Sequence, residues 1–300
     1  MDRARQGTYS IVARDPLNGE LGVAVQSHWF SVGSVVTWAQ PGVGAVATQA
    51  NAEIAYGPRA LALIEQGAGA QAALSRLLGE DPSAATRQVA VIDHRGEVAV
   101  HTGEETMAFA GDISGEAVSC QANIMADERV WPAMIQAFQD TEGRLTERLL
   151  AALDAAEAAG GDVRGRQSAA ILVVPAHGES WETVVDLRVE DHDEPLAELH
   201  RLVRLHDAYA LAAQGDELVG QGRHELACEM FQQASALAPD NHELLFWAGL
   251  GAAQAGDLDT GVARVQAAIA QQPGWLELLP RLTPQTAPSA AAILQRISTA

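Results

Sequence analysis

Lysine is absent from the 300-residue chain: all 19 basic residues are arginine, and 39 acidic residues bring the formal charge to −20. A surface that negative repels phosphate backbones and anionic lipid, which argues against nucleic-acid and membrane-surface partners. Positive charge at any site must come from arginine or be absent. Cysteine is almost as scarce. Cys120 and Cys228 stand far apart with no CxxC spacing, which excludes a disulfide framework and a zinc ribbon and leaves each as a small buried hydrophobe. No apolar run approaches the ~20 residues of a membrane span, and Met1, Asp2 and Arg3 lead into no hydrophobic signal region, so the expected location is cytoplasmic. There is no HExxH pair, glycine-rich phosphate loop or GxSxG elbow, and no cofactor is expected.

What is present is patterned. Between Thr8 and His28 two short apolar runs flank a Pro/Asn/Gly turn, the signal for a β-hairpin. With the turn at Pro16 to Gly19, Asp15 faces Glu20, and the same antiparallel register sets Thr8 opposite Ser27. A hydroxyl therefore meets the polar trio Gln26, Ser27 and His28 at one sheet end. A second hairpin is expected from 34–39 and 45–49 around Gln40 to Gly44, carrying Gln49 and Asn51 back toward Ser31 and Gly33. Two helices follow, one opening at Tyr56 to Arg59 and the other carrying Ala73, Leu74 and Leu77. Strands return at 87–93, 96–101 and about 116–123. Helices are expected at 127–138 and 142–159, stopped by Gly160 and Gly161, and a last strand pair at 168–174 and 183–189. Taken alone, the pattern reads as α+β.

Four blocks carry a resemblance: 8–15 (TYSIVARD), 22–27 (GVAVQS), 42–50 (GVGAVATQA) and 161–169 (GDVRGRQSA). Together they resemble the bacterial domain-of-unknown-function 1028 family, which is considered N-terminal-nucleophile (Ntn) hydrolase-like. The opening hairpin is also similar to that of the proteasome β subunits. The resemblance implies a four-layer αββα sandwich over 8–190, with Thr8 as a nucleophile freed by cleavage after Gly7 and residues 1–7 as a leader or disordered tail. An N-terminal threonine serves as nucleophile and base together, because its α-amine has a pKa of roughly 8. Ser27, Asn123 and backbone amides are then the expected oxyanion donors, and Asp162 the group that orients the amine. His28, Gln49, Asn51, Arg164, Gln167 and Ser168 are the expected substrate contacts. Bland readings stand beside these: a structural ion pair for Asp162, strand-edge capping for Gln49 and Asn123, and a surface position for His28. The ammonium that proteasome-type sites place beside the nucleophile has no lysine to supply it here.

Asp191 to Pro195 reads as a solvated linker rather than a metal site, since no second ligand cluster lies at metal spacing. Beyond it, 196–280 is helical with a 34-residue period: Pro239 and Pro273, and Gly222 and Gly256, recur at that interval. The spacing of Gly215, Leu218, Ala227, Phe231 and Ala234 resembles a tetratricopeptide repeat (TPR), with a weaker second copy and a capping helix from Leu196 to about Ala213. Residues 281–300 are expected to be a loose tail apart from a short helix at 290–297. Two functions follow. One is an Ntn-type amidohydrolase acting on a small amide or peptide-like substrate. The other is a non-catalytic binding or assembly protein that uses 196–280 for a protein partner or for self-association, a homo-oligomer being the modest expectation. A third, Ser27 as nucleophile in an unprocessed chain, would need His28 as its base.

Overall fold

The protein was analysed as a computed structural model that describes residues 7–299; of the expected leader, only Gly7 falls within it. The chain divides after His200 into two compact units.

The first unit is mixed α/β with two antiparallel sheets. Its elements are β1 (Thr8–Arg14), β2 (Leu21–Ser27), α1 (Gly33–Val36), β3 (Thr37–Gln40), β4 (Gly44–Ala50), α2 (Tyr56–Glu65), α3 (Ala70–Glu80), β5 (Arg87–Asp93), β6 (Val98–Thr102), β7 (Gly111–Gly115) and β8 (Val118–Asn123). Then come α4 (Val130–Asp140), α5 (Leu145–Ala158), β9 (Ser168–Val174), β10 (Val185–Val189) and the first residues of α6 (Pro195–Gly220), most of which belongs to the second unit. One sheet runs β10-β9-β2-β1-β8-β7, the other β3-β4-β5-β6.

The first hairpin forms in the register the turn predicts, Thr8 opposite Ser27. Asp15 closes it: its amide donates to the Glu20 carbonyl at 2.8 Å and its carboxylate accepts from the Leu17 amide, while Gly19 takes a φ of +78°. Valine, alanine, isoleucine and leucine from both sheets fill the space between them, including Val12, Val23, Ala45, Ala47, Ile92 and Leu172. Helices α2 and α3 cover the outer face of the second sheet, while α4 packs on β7 and β8 and α5 on β1, β2 and β9. Gly22 is what lets α5 close on β2, since a Cβ there would lie 2.6 Å from a Leu149 methyl. Each fully buried leucine of α5, such as Leu149 or Leu153, contributes about 1.5–3 kcal/mol of transfer free energy.

Two local expectations fail. Residues 34–36 are not strand: Ser34 and Thr37 turn their hydroxyls onto the carbonyls of Ser31 and Gly33 at 2.8 Å, which closes the short helix α1. The β3–β4 ladder therefore ends at Thr37 opposite Ala47, and Gln49 faces Gln88 of β5 instead of Ser31. Strand β7 went unrecognised because Gly-Asp-Ile-Ser-Gly offers one large apolar residue. It is an edge strand, and Gly111 sits so close to Trp131 that a Cβ would meet the ring at 2.5 Å.

The second unit is helical. After the later turns of α6 come α7 (His224–Leu237), α8 (His242–Gln254), α9 (Leu258–Gln271), α10 (Gly274–Leu278) and α11 (Ala290–Ser298). Helices α7 and α9 start 34 residues apart (224 and 258) and end 34 apart (237 and 271). Gly222 and Gly256, which end the preceding turns, both have positive φ, +72° and +102°. The capping helix expected to stop near Ala213 instead continues to Gly220 as part of α6. Gly215, inside it, lies where a Cβ would be 2.8 Å from the Phe231 ring, and Gly251 of α8 approaches the same ring equally closely. The tail is not loose: Ala287, Ala290 and Ile293 are buried, the Ser289 hydroxyl donates to the Leu250 carbonyl at 2.8 Å, and Arg296 pairs with Asp259 at 2.7 Å. Among the described residues, no helix is long and apolar enough to cross a membrane.

Candidate active site

Antiparallel pairing gathers the ends of many strands at one edge of the sandwich. Thr8 begins β1, flanked by Ser27 at the end of β2 and Asn123 at the end of β8. Gln49 near the end of β4 and Gln88 near the start of β5 face each other in the second sheet. All five side chains are at least 99% buried.

Hydrogen bonds define what each does. The Thr8 hydroxyl donates to Ser27 Oγ at 3.1 Å, and the Ser27 hydroxyl in turn donates to the carbonyl of Gly7. Arg164 Nη2 donates to that same carbonyl at 2.9 Å. Asp162 clamps Arg164 in a bidentate pair, 2.7 Å and 3.0 Å, and also accepts from the Arg164 and His28 amides. Gly7 rests on this pair: a Cβ on it would lie 2.6 Å from the Asp162 carboxylate. Asp162 reaches the site because 124–126 and 161–163 are stitched together, with Met125 bridging Asp162 and the Val163 amide donating to the Ile124 carbonyl.

On the far side of Thr8, its carbonyl accepts from Gln49 Nε2 at 3.3 Å and Asn123 Nδ2 at 3.4 Å. Gln49 Oε1 accepts from Ser10, which itself accepts from Gln121 Nε2 at 2.6 Å. The residues that follow Gln49 and Asn123, Ala50 and Ile124, hold φ values of +66° and +56°. For a β-branched isoleucine that is an outlier, and such strain concentrates at functional sites.

Not every expected contact is here. Asn51 turns to Thr86, its Nδ2 3.0 Å from Thr86 Oγ1, because β4 pairs with β5 and not with the segment before β3. The hydroxyl of Ser168 is occupied with the 29–32 loop, donating to the Trp29 carbonyl and accepting from the Val32 amide. Exposed His28 has its Nδ1 3.3 Å from the Arg166 carbonyl, not on Ser27, so it supplies no base for a Ser27 nucleophile. Gln167 donates to Asp191 at 3.0 Å, and its amide ties it to the Ser27 carbonyl. Together His28, Arg166, Gln167, Asp191, His192 and Asp193 line a polar cavity of about 460 Å³ beside Asp162. Among the described residues, no group of three or more His, Cys, Asp and Glu side chains could hold a metal ion.

Two further ionisable groups nearby, Tyr9 and Cys120, are buried. Burial, reinforced by Glu157, pushes the Tyr9 phenol well above its ordinary value, and its hydroxyl donates to Glu157 at 2.7 Å. Cys120, opposite Ile11, has its thiol pushed up by burial alone and is no nucleophile.

Residues 8–199 match the family of unknown function DUF1028. The chain belongs to that family. A solved structure described as protein SPO2555 from Silicibacter pomeroyi, of the same family, is 32% identical with a TM-score of 0.61, covering 66% of this chain and 88% of that one. Anbu (ancestral beta-subunit) from Yersinia bercovieri is 12% identical over 64% of this chain and 91% of its own, with a TM-score of 0.34, a likeness too slight to carry argument. None of the curated proteins matches. The match places all of β1 to β10, and with them the Thr8 site, inside the DUF1028 region.

Sequence reasoning missed Gln88, Gln121 and Ser10. Their signal was a polar stripe at period two: Ser119, Gln121 and Asn123 share one face of a strand whose other face is Val118, Cys120 and Ala122.

Proposed function

We propose that this DUF1028 chain is an N-terminal-nucleophile amidohydrolase with a four-layer αββα sandwich, acting through Thr8 on a small amide or peptide-like substrate. The observation that carries the reading is the directed pair of hydrogen bonds from Thr8 to Ser27 to the Gly7 carbonyl, with Arg164 on the same oxygen. With Gly7 attached, the Thr8 nitrogen is an amide and its side chain is 1% exposed, so no substrate can be attacked. The same geometry supports removal of that block. Thr8 Oγ1 attacks the Gly7 carbonyl carbon, its proton passes to Ser27, and the Ser27 proton passes to the forming oxyanion, where Arg164 adds charge. Collapse breaks the carbon–nitrogen bond, the proton returns to the leaving Thr8 nitrogen, and an ester remains. Water then hydrolyses the ester, giving a Gly7 carboxylate and a free Thr8 amine and hydroxyl. In substrate turnover the amine is the base, Asp162 its orienting partner, and Ser27 with backbone amides the oxyanion donors; Asn123, expected among them, is instead committed to the Thr8 carbonyl and Gln88. The polar cavity beside His28 and Gln167 receives the rest of the substrate.

Intact mass and N-terminal sequencing test this. A mature chain beginning at Thr8 is expected, with Thr8→Ala left whole and Ser27→Ala cut at least ~100-fold more slowly, the range for losing a proton-transfer group. A wild-type chain that keeps Gly7 under all conditions sinks the reading. It would then favour the second one, a non-catalytic binding protein, for which the sealed Thr8 hydroxyl is the specific support. The helical unit fits either reading as a TPR-like pair holding a protein partner or a second copy, supported by the 34-residue offset of α7 and α9.

A further inference from the structure

Gln88 touches neither the Thr8 hydroxyl nor Gly7, yet every hydrogen-bonding atom of its side chain is committed. Its Oε1 accepts from Gln49 Nε2 at 2.8 Å and from Asn123 Nδ2 at 3.0 Å. Its Nε2 lies 2.9 Å from the Ala122 carbonyl, 3.2 Å from the Gly111 carbonyl and 2.9 Å from Thr102 Oγ1. The Thr102 hydroxyl in turn donates to Asp112 at 2.6 Å. The two carbonyls can only accept, which fixes the orientation of the amide. Its oxygen must then face the two NH₂ groups, and those groups turn their remaining protons toward the Thr8 carbonyl, the Gln49 proton being shared with the Gln121 carbonyl at 3.4 Å.

From this geometry we infer that Gln88 is the positioning residue of the Thr8 site: it orients the Gln49 and Asn123 amides so that the second sheet sets where the Thr8 peptide stands. The contacts from those amides to Thr8 are long, 3.3 and 3.4 Å, so their aim depends on the shorter bonds behind them. The neutral amide matters. A glutamate would set an anionic oxygen against the Ala122 and Gly111 carbonyls, so it fits only when protonated, as buried carboxyls facing acceptors do. An apolar residue of similar length leaves one proton of each NH₂ group without its acceptor. The importance of that position rests on Thr8 being the reacting residue, but the contact itself does not.

The test uses the full chain and two variants, Gln88→Glu and Gln88→Met. NMR reads the Thr8 carbonyl carbon and the exchange of the Gln49 and Asn123 side-chain amide protons, circular dichroism reports the fold, and intact mass reports cleavage. In Gln88→Glu, near pH 5 all signals are expected to match wild type. As the pH is raised toward ~9, through the raised pKa of a buried carboxyl, the side-chain amides should lose roughly tenfold protection and the Thr8 carbonyl signal should move, the dichroism staying constant. Wild type should keep its side-chain amide protection throughout, and the Thr8 carbonyl shift is read as the difference from wild type at each pH, which removes the titration of a freed α-amine with its pKa of roughly 8. Gln88→Met should behave like the high-pH glutamate form at every pH. Amide exchange and a Thr8 signal unchanged in both variants across the range would overturn the inference. So would amides that loosen while Thr8 stays put. Cleavage between Gly7 and Thr8 is a separate arm: a wild type that is never cut defeats the amidohydrolase reading, while the carbonyl and amide signals still decide the role of Gln88.

Discussion

Between the two sheets of the first unit, one end is hydrocarbon and the other is amide. The same strands build both. On β1, Val12 gives way to Ser10 and Thr8; on β2, Val23 and Val25 to Ser27; on β4, Ala45 and Ala47 to Gln49; on β5, Ile92 and Ala90 to Gln88. Each change occurs within one pleat step on an unchanged face. Hydrocarbon contacts are nondirectional and hold the sheets together whatever small shifts occur, whereas a buried amide desolvates at a cost that only well-aimed partners offset. Concentrating Gln49, Gln88, Gln121 and Asn123 around Thr8 sacrifices hydrophobic stabilisation at that end and gains fixed orientation. The difference singles out the Thr8 end as the candidate site without reference to any relative.

If the ends are separable, damage to one leaves the other in place. Ile92→Ala at the hydrocarbon end should cost about 2–5 kcal/mol in urea denaturation, the transfer and cavity terms for a fully buried isoleucine. The Thr8 carbonyl resonance should not move, and a shift as large as that in Gln88→Met would break the distinction. Gln121→Leu should cost less, about 1–3 kcal/mol, because it leaves the Ser10 and Ser119 hydroxyls buried without their amide partner. Here the Thr8 signal should move, since Ser10 sits between Gln121 and Gln49.

The hydrocarbon end was far more legible in the sequence than the polar one. Alternation in 8–14 and 21–27 together with the Pro16 to Gly19 turn sufficed to place Thr8 against Ser27, because hairpin register is a local property. Asp162 could be nominated but not positioned, since its place depends on Met125, 37 residues earlier (162 − 125), pairing with it. Asn51 was misplaced by the opposite fault, a local register carried through 34–36 where hydroxyl caps had replaced strand with α1. Gln88 stayed hidden because one glutamine in Arg-Gln-Val-Ala-Val-Ile-Asp reads as ordinary strand until Gln49 and Asn123 are brought against it from β4 and β8. What sequence lacks is the cross-sheet partner, and the polar end consists of little else.

The smallest effect expected comes from the brace outside the polar end. Arg87, beside Gln88, pairs with Asp81 at 2.8 Å and donates to the Asn51 carbonyl, tying the end of α3 to the strand ends that present Gln49 and Gln88. That guanidinium, with help from the Ser83 amide and the Tyr56 hydroxyl, holds the Asp81 carboxyl below its ordinary value despite opposing burial. Asp81→Asn keeps the shape and an acceptor for Ser83 but removes the charge, so at pH 7 it should cost about 1–2 kcal/mol, between an exposed and a buried pair. Because the folded value is depressed, the stabilisation is fully present above the unfolded value of about 3.9 and is lost as pH falls through the folded one. The urea stabilities of wild type and Asp81→Asn should therefore differ at pH 7 and 5 and converge as the pH falls through the depressed folded value. A gap that stays constant into acid would show that the aspartate acts by shape alone, and that charge contributes nothing to how the second sheet is braced behind Thr8.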